Sequence, residues 1–135
     1  MDIPTNVKIE SLSASQESAK AVWVPNRNGI FLNIAAGFAE GLKADCIIVG
    51  FNKEEASTFP DNSQEYIDKL NDAFEFSTAN KIKVKCFTTD MDKTQIAKRA
   101  KELNVNMNWV WPCYKGGAKI CNECESCLRY LRAIE

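Results

Sequence analysis

The sequence contains no histidine. That excludes a Ser-His-Asp or Cys-His nucleophile pair built from this chain, histidine-rich zinc hydrolase sites and two-histidine iron sites. Acid–base work is left to carboxylates, lysines and tyrosines, and any metal site must use sulfur or oxygen. Charge of one sign is also lacking: 17 Lys and Arg against 18 Asp and Glu are well mixed and leave a net charge of −1. No electrostatic footprint for nucleic acid or an anionic membrane results, so neither is expected as a partner. No apolar run approaches the ~20 residues of a membrane span, and the opening MDIPTNVKIESLS is too polar for a secretory signal. The expected location is the cytoplasm, where thiols stay reduced. Six cysteines then point to metal or chemistry ahead of a disulfide framework.

What is present suits an ordinary globular chain. The 135 residues, 45% hydrophobic and 26% charged, fit one α/β domain spanning 1–135. Residues 1–24 read as mostly irregular. Asn28 is a candidate N-cap for a helix to about Lys43, with Ile30, Phe31, Ile34, Ala35, Phe38, Ala39 and Leu42 at helical spacing. CIIVGF, from Cys46 to Phe51, suits a buried parallel strand. A second helix is predicted from Ser63 to about Phe76, with Ile67, Leu70, Ala73 and Phe74 on one face. KIKVKCF alternates Lys81, Lys83 and Lys85 with Ile82, Val84 and Cys86, the pattern of a half-exposed edge strand. DKTQ resembles a capping box that leads a helix to about Asn104, NWVWP reads as extended, and Glu123 to Ile134 as a closing helix. Helices between strands imply crossovers and a parallel sheet.

The stretch WPCYKGGAKICNECESC holds Cys113, Cys121, Cys124 and Cys127 in a C-x7-C-x2-C-x2-C pattern. Thiolates two residues apart on a turn present adjacent sulfurs, and zinc takes four ligands at tetrahedral corners about 2.3 Å from the ion. Gly116 and Gly117 would let the loop fold back so that Cys113 reaches the same ion. A four-cysteine structural zinc site in a region spanning 109–135 is the expectation. An iron–sulfur cluster uses the same ligand count, and a redox CxxC pair needs fewer cysteines than are present. Four protein thiolates leave no open position for substrate, so such a zinc holds structure and does no chemistry. Cys46 and Cys86 read as ordinary strand cysteines, and Trp109 and Trp111 as packing around the metal loop.

Four stretches occur in order: VPNRNGIFL (24–32), VGFNKEEASTFPDNSQEYI (49–67), DKTQIAKRAKELNV (92–105) and the cysteine tail. Together they resemble the C-terminal part of the 7-cyano-7-deazaguanine synthase family, in the N-type ATP pyrophosphatase (PP-loop) superfamily, over roughly residues 22–132. The resemblance implies a doubly wound α/β sheet with a four-cysteine zinc site beside it, usually in a homodimer. It implies ATP- and magnesium-dependent conversion of 7-carboxy-7-deazaguanine and ammonia to a nitrile, a step in queuosine precursor biosynthesis. Cys113, Cys121, Cys124 and Cys127 carry over as metal ligands. Arg27 and Lys93, each at a predicted helix start, are the catalytic candidates, since adenylation builds negative charge that fixed cations stabilise; the alternatives are a surface arginine in a turn and a solvated helix-start lysine. Asn28, Asn52 and Asp61 are the substrate-binding candidates; Asn52 and Asp61 lie in the loop after a strand's C-terminal end, where ligands bind in open α/β sheets.

The departures from the family pattern are specific. The superfamily's S-G-G-x-D-S loop, whose amides hold pyrophosphate, is absent from the sequence. Where the family reads D-Y-S-G-Y-P-D-C, this chain has EASTFPDN, with Glu55, Ala56, Thr58, Phe59 and Asn62 in place of the usual residues. WPCY replaces W-S-C-Y, and Asn122 stands where glycine is common. The expected function is the C-terminal part of such an enzyme, inactive alone and working with an ATP-binding half; the alternative is a non-catalytic zinc module derived from the family. Lacking the N-terminal strands, the CIIVGF strand would need its edge covered by the first 24 residues or by a second chain.

Overall fold

The computed structural model describes residues 22–135, so the expectations placed on residues 1–21 lie outside the described residues. The chain divides into two compact units, one of residues 24–90 and the other including residues 91–135. No helix among the described residues is long and apolar enough to cross a membrane.

In the first unit, helix α1 (Arg27–Gly41) leads to strand β1 (Cys46–Val49). A short helix α2 (Lys53–Ala56), a 3-10 turn at Pro60–Asn62 and helix α3 (Gln64–Ser77) then cross over to strand β2 (Lys83–Cys86). β1 and β2 are parallel, with Ile47 opposite Val84 and Val49 opposite Cys86. These four side chains share one face and pack with Leu32, Ala36, Ala39, Phe51, Ile67, Phe74 and Ile82. The α/β reading therefore holds, with a two-stranded parallel sheet among the described residues. α1 packs on β1 and α3 on β2.

Several local expectations change. Helix α1 starts at Arg27, with Asn26 as its N-cap in the left-handed region (φ 55°); the Ile30 N–H bonds to the Asn26 carbonyl at 2.9 Å. Asn28 thus lies inside the first turn, and its amide is free for a tertiary contact. α1 ends at Gly41 because Lys43 turns left-handed (φ 54°). The Ala44 N–H then reaches the Ala39 carbonyl at 2.9 Å and the Lys43 N–H reaches Glu40 at 3.1 Å, the two bonds of a Schellman stop. The buried face of α1 is Gly29, Leu32, Ala36 and Ala39; of the predicted apolar set, Ala39 alone is buried and Ile30, Phe31, Ile34, Phe38 and Leu42 are exposed. α1 is apolar on both sides, so spacing could not say which side meets the sheet. β1 is likewise buried on one face only: Ile48 is 65% exposed, because α1 and α3 both lie on the Ile47/Val84 face.

The second helix runs as expected, capped by Ser63 Oγ accepting from the Tyr66 N–H at 3.1 Å. Its Asn71 carries a contact that spacing did not announce. The Asn71 side chain donates to the Val84 carbonyl at 3.1 Å and accepts from the Val84 N–H at 2.7 Å. A strand residue's N–H and C=O point to the same side of the strand, so this pair closes the β2 edge facing away from β1.

In the second unit, α4 (Lys93–Glu102) opens with the capping box expected from DKTQ: Asp92 Oδ1 accepts from the Gln95 N–H at 2.8 Å, and Gln95 Oε1 from the Asp92 N–H at 2.9 Å. A 3-10 turn at Met107–Trp109 takes the first two residues of NWVWP, while Val110 is extended as expected. The closing helix α5 (Glu125–Ile134) packs on α4, and Lys101 Nζ donates to the Ile134 carbonyl at 3.0 Å, offsetting the negative end of α5.

Candidate functional site

The four cysteines of the tail converge. Their Sγ atoms all lie within 4.8 Å of one another, and Cys121 Sγ is 3.9 Å from Cys127 Sγ. Four thiolates about 2.3 Å from a tetrahedral ion are separated by about 3.8 Å, so the pocket is near coordination size and can hold a metal ion. Cys124 is the N-cap of α5 and Cys127 sits in its first turn, which places both sulfurs at one helix end. Both are fully buried.

Backbone amides orient the sulfurs. The Lys115 N–H points at Cys113 Sγ and the Cys124 N–H at Cys121 Sγ, each at 3.3 Å. The Glu123 amide chiefly holds the Cys121 pKa down to about 6 against the cost of burial, and the Cys124 amide adds a smaller lowering. Burial pushes Cys127 up to about 12, helped by its hydrogen bond with Cys124. A buried thiol of that kind ionises readily only when a cation takes its charge, so the donor set fits a resident divalent ion. Lys115 pairs with Glu123 across the loop, and its pKa is raised by that bond and by the nearby sulfurs Cys121 and Cys113. Its charge offsets part of the excess negative charge of four thiolates.

The loop's backbone explains two sequence features. Gly117 has φ 151° while Gly116 has no positive φ, so glycine is required at the first and not the second. Asn122 adopts φ 59°, a left-handed residue between two ligands, which is why glycine serves at that place in the family pattern and asparagine is tolerated. Asn122→Gly is expected to keep full metal content and stability. Asn122→Val should destabilise the loop by roughly 1–2 kcal/mol, seen as faster metal loss to a chromogenic chelator; equal loss rates for the two variants would contradict this.

Trp109 is 82% exposed and Trp111 is also exposed, correcting their reading as packing around the metal loop. The cluster there is Cys113, Cys124 and Cys127 with Ile120 and Cys121 against them, and it is too small to cover an indole. Behind the cluster, buried Glu125 accepts from Arg129 Nη2 at 2.7 Å and Nε at 3.0 Å, fixing the first turn that carries Cys127. This pair was not anticipated; its signal is an i,i+4 Glu-Arg spacing.

In the first unit, polar candidates gather at the start of α1. Asn28 Nδ2 donates to the Asp61 carbonyl at 3.3 Å, tying the helix start to the EASTFPDN loop. Asp61 Oδ1 accepts from Asn62 Nδ2 at 3.2 Å. Arg27 is exposed at the first helical position. Tyr66 joins them: a Cβ at Gly29 would lie 2.8 Å from its hydroxyl and 2.0 Å from Asn26 Oδ1, so only glycine fits at 29. Burial, then the charge of Asp61, raises the Tyr66 pKa. Gly29 and Tyr66 were missed, although the N-R-N-G run hinted at the first.

Asn52 is buried and caps α2, its Oδ1 accepting from the Glu55 N–H at 3.1 Å. It therefore shapes the loop after β1. The ends of the two strands are joined at the Phe51 carbonyl, which accepts from Thr88 Oγ1 at 2.6 Å and Cys86 Sγ at 3.3 Å. Lys93 is the first residue of α4, in the other unit.

A parallel α/β unit joined in one chain to a four-cysteine cluster that can hold a metal ion defines the class. Residues 3–135 match the family model described as "Queuosine biosynthesis protein QueC", and the chain belongs to that family. It is 49% identical over 132 residues to the 7-cyano-7-deazaguanine synthase of Carboxydothermus hydrogenoformans, covering 98% of this chain and 61% of that protein. It is 50% identical to the synthase so named from Bdellovibrio bacteriovorus, covering 98% and 58%. The chain thus spans about three-fifths of the length of the curated relatives it matches.

Proposed function

We propose that this chain is the metal-containing C-terminal part of a 7-cyano-7-deazaguanine synthase and acts with an ATP-binding half to convert 7-carboxy-7-deazaguanine and ammonia to the nitrile. The observation that carries this reading is the identity of 49–50% across 98% of the chain with synthases of that name. ATP, with magnesium, would supply carboxylate activation. The chain's own residues contribute binding and charge. Arg27, exposed at a helix start beside free amides, meets developing phosphate charge, and Lys93 has the same position on α4. Asp61, tethered through its carbonyl to Asn28, keeps a carboxylate available for the N–H groups of a guanine-like ring. Asn52 contributes by holding the loop after β1. The ion at the four cysteines is zinc in this reading, with a structural role, and the protein works in the cytoplasm.

Positioning a triphosphate in line with a carboxylate needs more than point cations. It normally comes from a glycine-rich loop and is worth several kcal/mol. This chain alone is therefore expected to form no nitrile from 7-carboxy-7-deazaguanine, ammonia, ATP and magnesium, and to do so when mixed with a separately expressed ATP-binding half. Arg27→Ala should cut the rate of the mixture by roughly 10²–10³, read by mass spectrometry of the product. Turnover by the chain alone would overturn the assignment of roles. A folded, inactive mixture would favour a non-catalytic module of the same family.

A further inference from the structure

The four sulfurs of the tail share one cluster but not one environment. Cys124 and Cys127 are fully buried and Cys113 is 9% exposed, whereas Cys121 is partly exposed. The two residues after it, Asn122 and Glu123, are exposed, so a small polar molecule approaches Cys121 directly from solvent. Cys121 Sγ already lies 3.9 Å from Cys127 Sγ, about 2 Å longer than a disulfide bond.

In such a cluster sulfur is the electron source. Zinc has no redox change to offer, and a coordinated thiol is kept as thiolate, its nucleophilic form. Four thiolates on one divalent ion also leave excess negative charge on the sulfurs. The chain's other two cysteines offer no comparable pair. Cys46 stands opposite Lys83, and Cys86 stands opposite Val49. They are offset by three positions along the sheet, about 10 Å, and a disulfide needs Cα atoms within about 7 Å.

We infer that Cys121 is a peroxide-modification site, at which oxidation followed by capture by Cys127 turns two metal ligands into a disulfide. This rests on the reading that the cluster holds zinc. In the first step the Cys121 thiolate attacks one peroxide oxygen. An S–O bond forms, the O–O bond breaks, and the departing hydroxide takes a proton from solvent, leaving a sulfenic acid. In the second step the Cys127 thiolate attacks the Cys121 sulfur. The S–S bond forms, the S–O bond breaks, and the second hydroxide is protonated by solvent. The two thiolates give up two electrons in all, and the peroxide becomes two waters. Cys113 and Cys124 then remain as thiolates, too few to fill a tetrahedral site. The new bond closes 121–127 alone, so Cys113 and the loop up to Ile120 lose their tie. Peroxide is thereby coupled to metal release and to opening of that loop.

The test uses the full chain, loaded with zinc under reducing conditions, and hydrogen peroxide as the oxidant. A chromogenic chelator should register zinc release, and peptide mass spectrometry should place a new disulfide between Cys121 and Cys127. Trypsin should then cut at Lys115 and Lys119, and a dithiol with added zinc should restore metal and protection. Dimedone, which traps sulfenic acids, should mark Cys121 ahead of the other three ligands. Cys121→His keeps four ligands for zinc but cannot form a sulfenic acid at that position. It should release zinc at least about tenfold more slowly than the parent. If that variant holds no zinc, the dimedone pattern of the parent decides which thiol is attacked. The inference is overturned if peroxide leaves the zinc in place, if the disulfide joins another pair, or if dimedone marks another ligand first. It is equally overturned if zinc-loaded Cys121→His loses its metal as fast as the parent. Each of these results leaves the zinc reading standing. A chain that takes up no zinc defeats that reading and the inference with it, and metal content measured before peroxide is added separates the two failures.

Discussion

Cys124→Ser is expected to release the bound metal and unfold the segment 109–135. The buried cluster there consists of Cys113, Cys124 and Cys127, with Ile120 and Cys121 packed against it. One isoleucine and a few sulfurs bury too little apolar surface to fix a loop of this length. In the proposed reading a bound ion is the cross-link, and structural zinc of this kind contributes on the order of 10 kcal/mol to local folding. Elemental analysis should find close to one zinc per parent chain and little in the variant. Proteolysis should cut the variant between 109 and 135, and the emission of exposed Trp109 and Trp111 should change. Acid should act in the same direction. The metal-bound thiolates carry fewer protons than the unfolded thiols, so stability rises with pH and falls as acid re-protonates the ligands. Iron in place of zinc, or full metal retention in Cys124→Ser, would refute the assignment.

Phe74→Ala should destabilise the first unit by about 3–5 kcal/mol, whereas Phe76→Ala on the same helix should change stability by less than about 0.5 kcal/mol. Phe74 is 1% exposed within the cluster of Ile67, Ile82 and Val84; Phe76 is 92% exposed. Truncating the first leaves a cavity that the rigid sheet cannot fill, while the second gives up contact with water alone. Urea unfolding of both variants measures the difference. Equal effects would mean that the packing of α3 on β2 is misassigned.

The α/β alternation, the parallel pairing, the capping box at Asp92 and the convergence of four cysteines were all legible in the sequence. Each depends on short-range geometry: a side chain reaching an amide three residues on, or thiols two residues apart on a turn. Family membership was legible for a related reason, since motif order survives where single residues do not. The tertiary structure alone decided the rest. α1 carries apolar residues on two faces, and only contact with β1 selected Leu32, Ala36 and Ala39 for the core while leaving Ile34 and Phe38 outside. Asn71 reads as a polar helix residue until β2, thirteen positions on, brings Val84 to it. Asn28 could have capped its helix, but the left-handed turn at Asn26 took that role and left Asn28 to meet Asp61. Local signals set what each element is; which side of it is buried depends on partners distant in sequence, whose burial free energy outweighs any local preference.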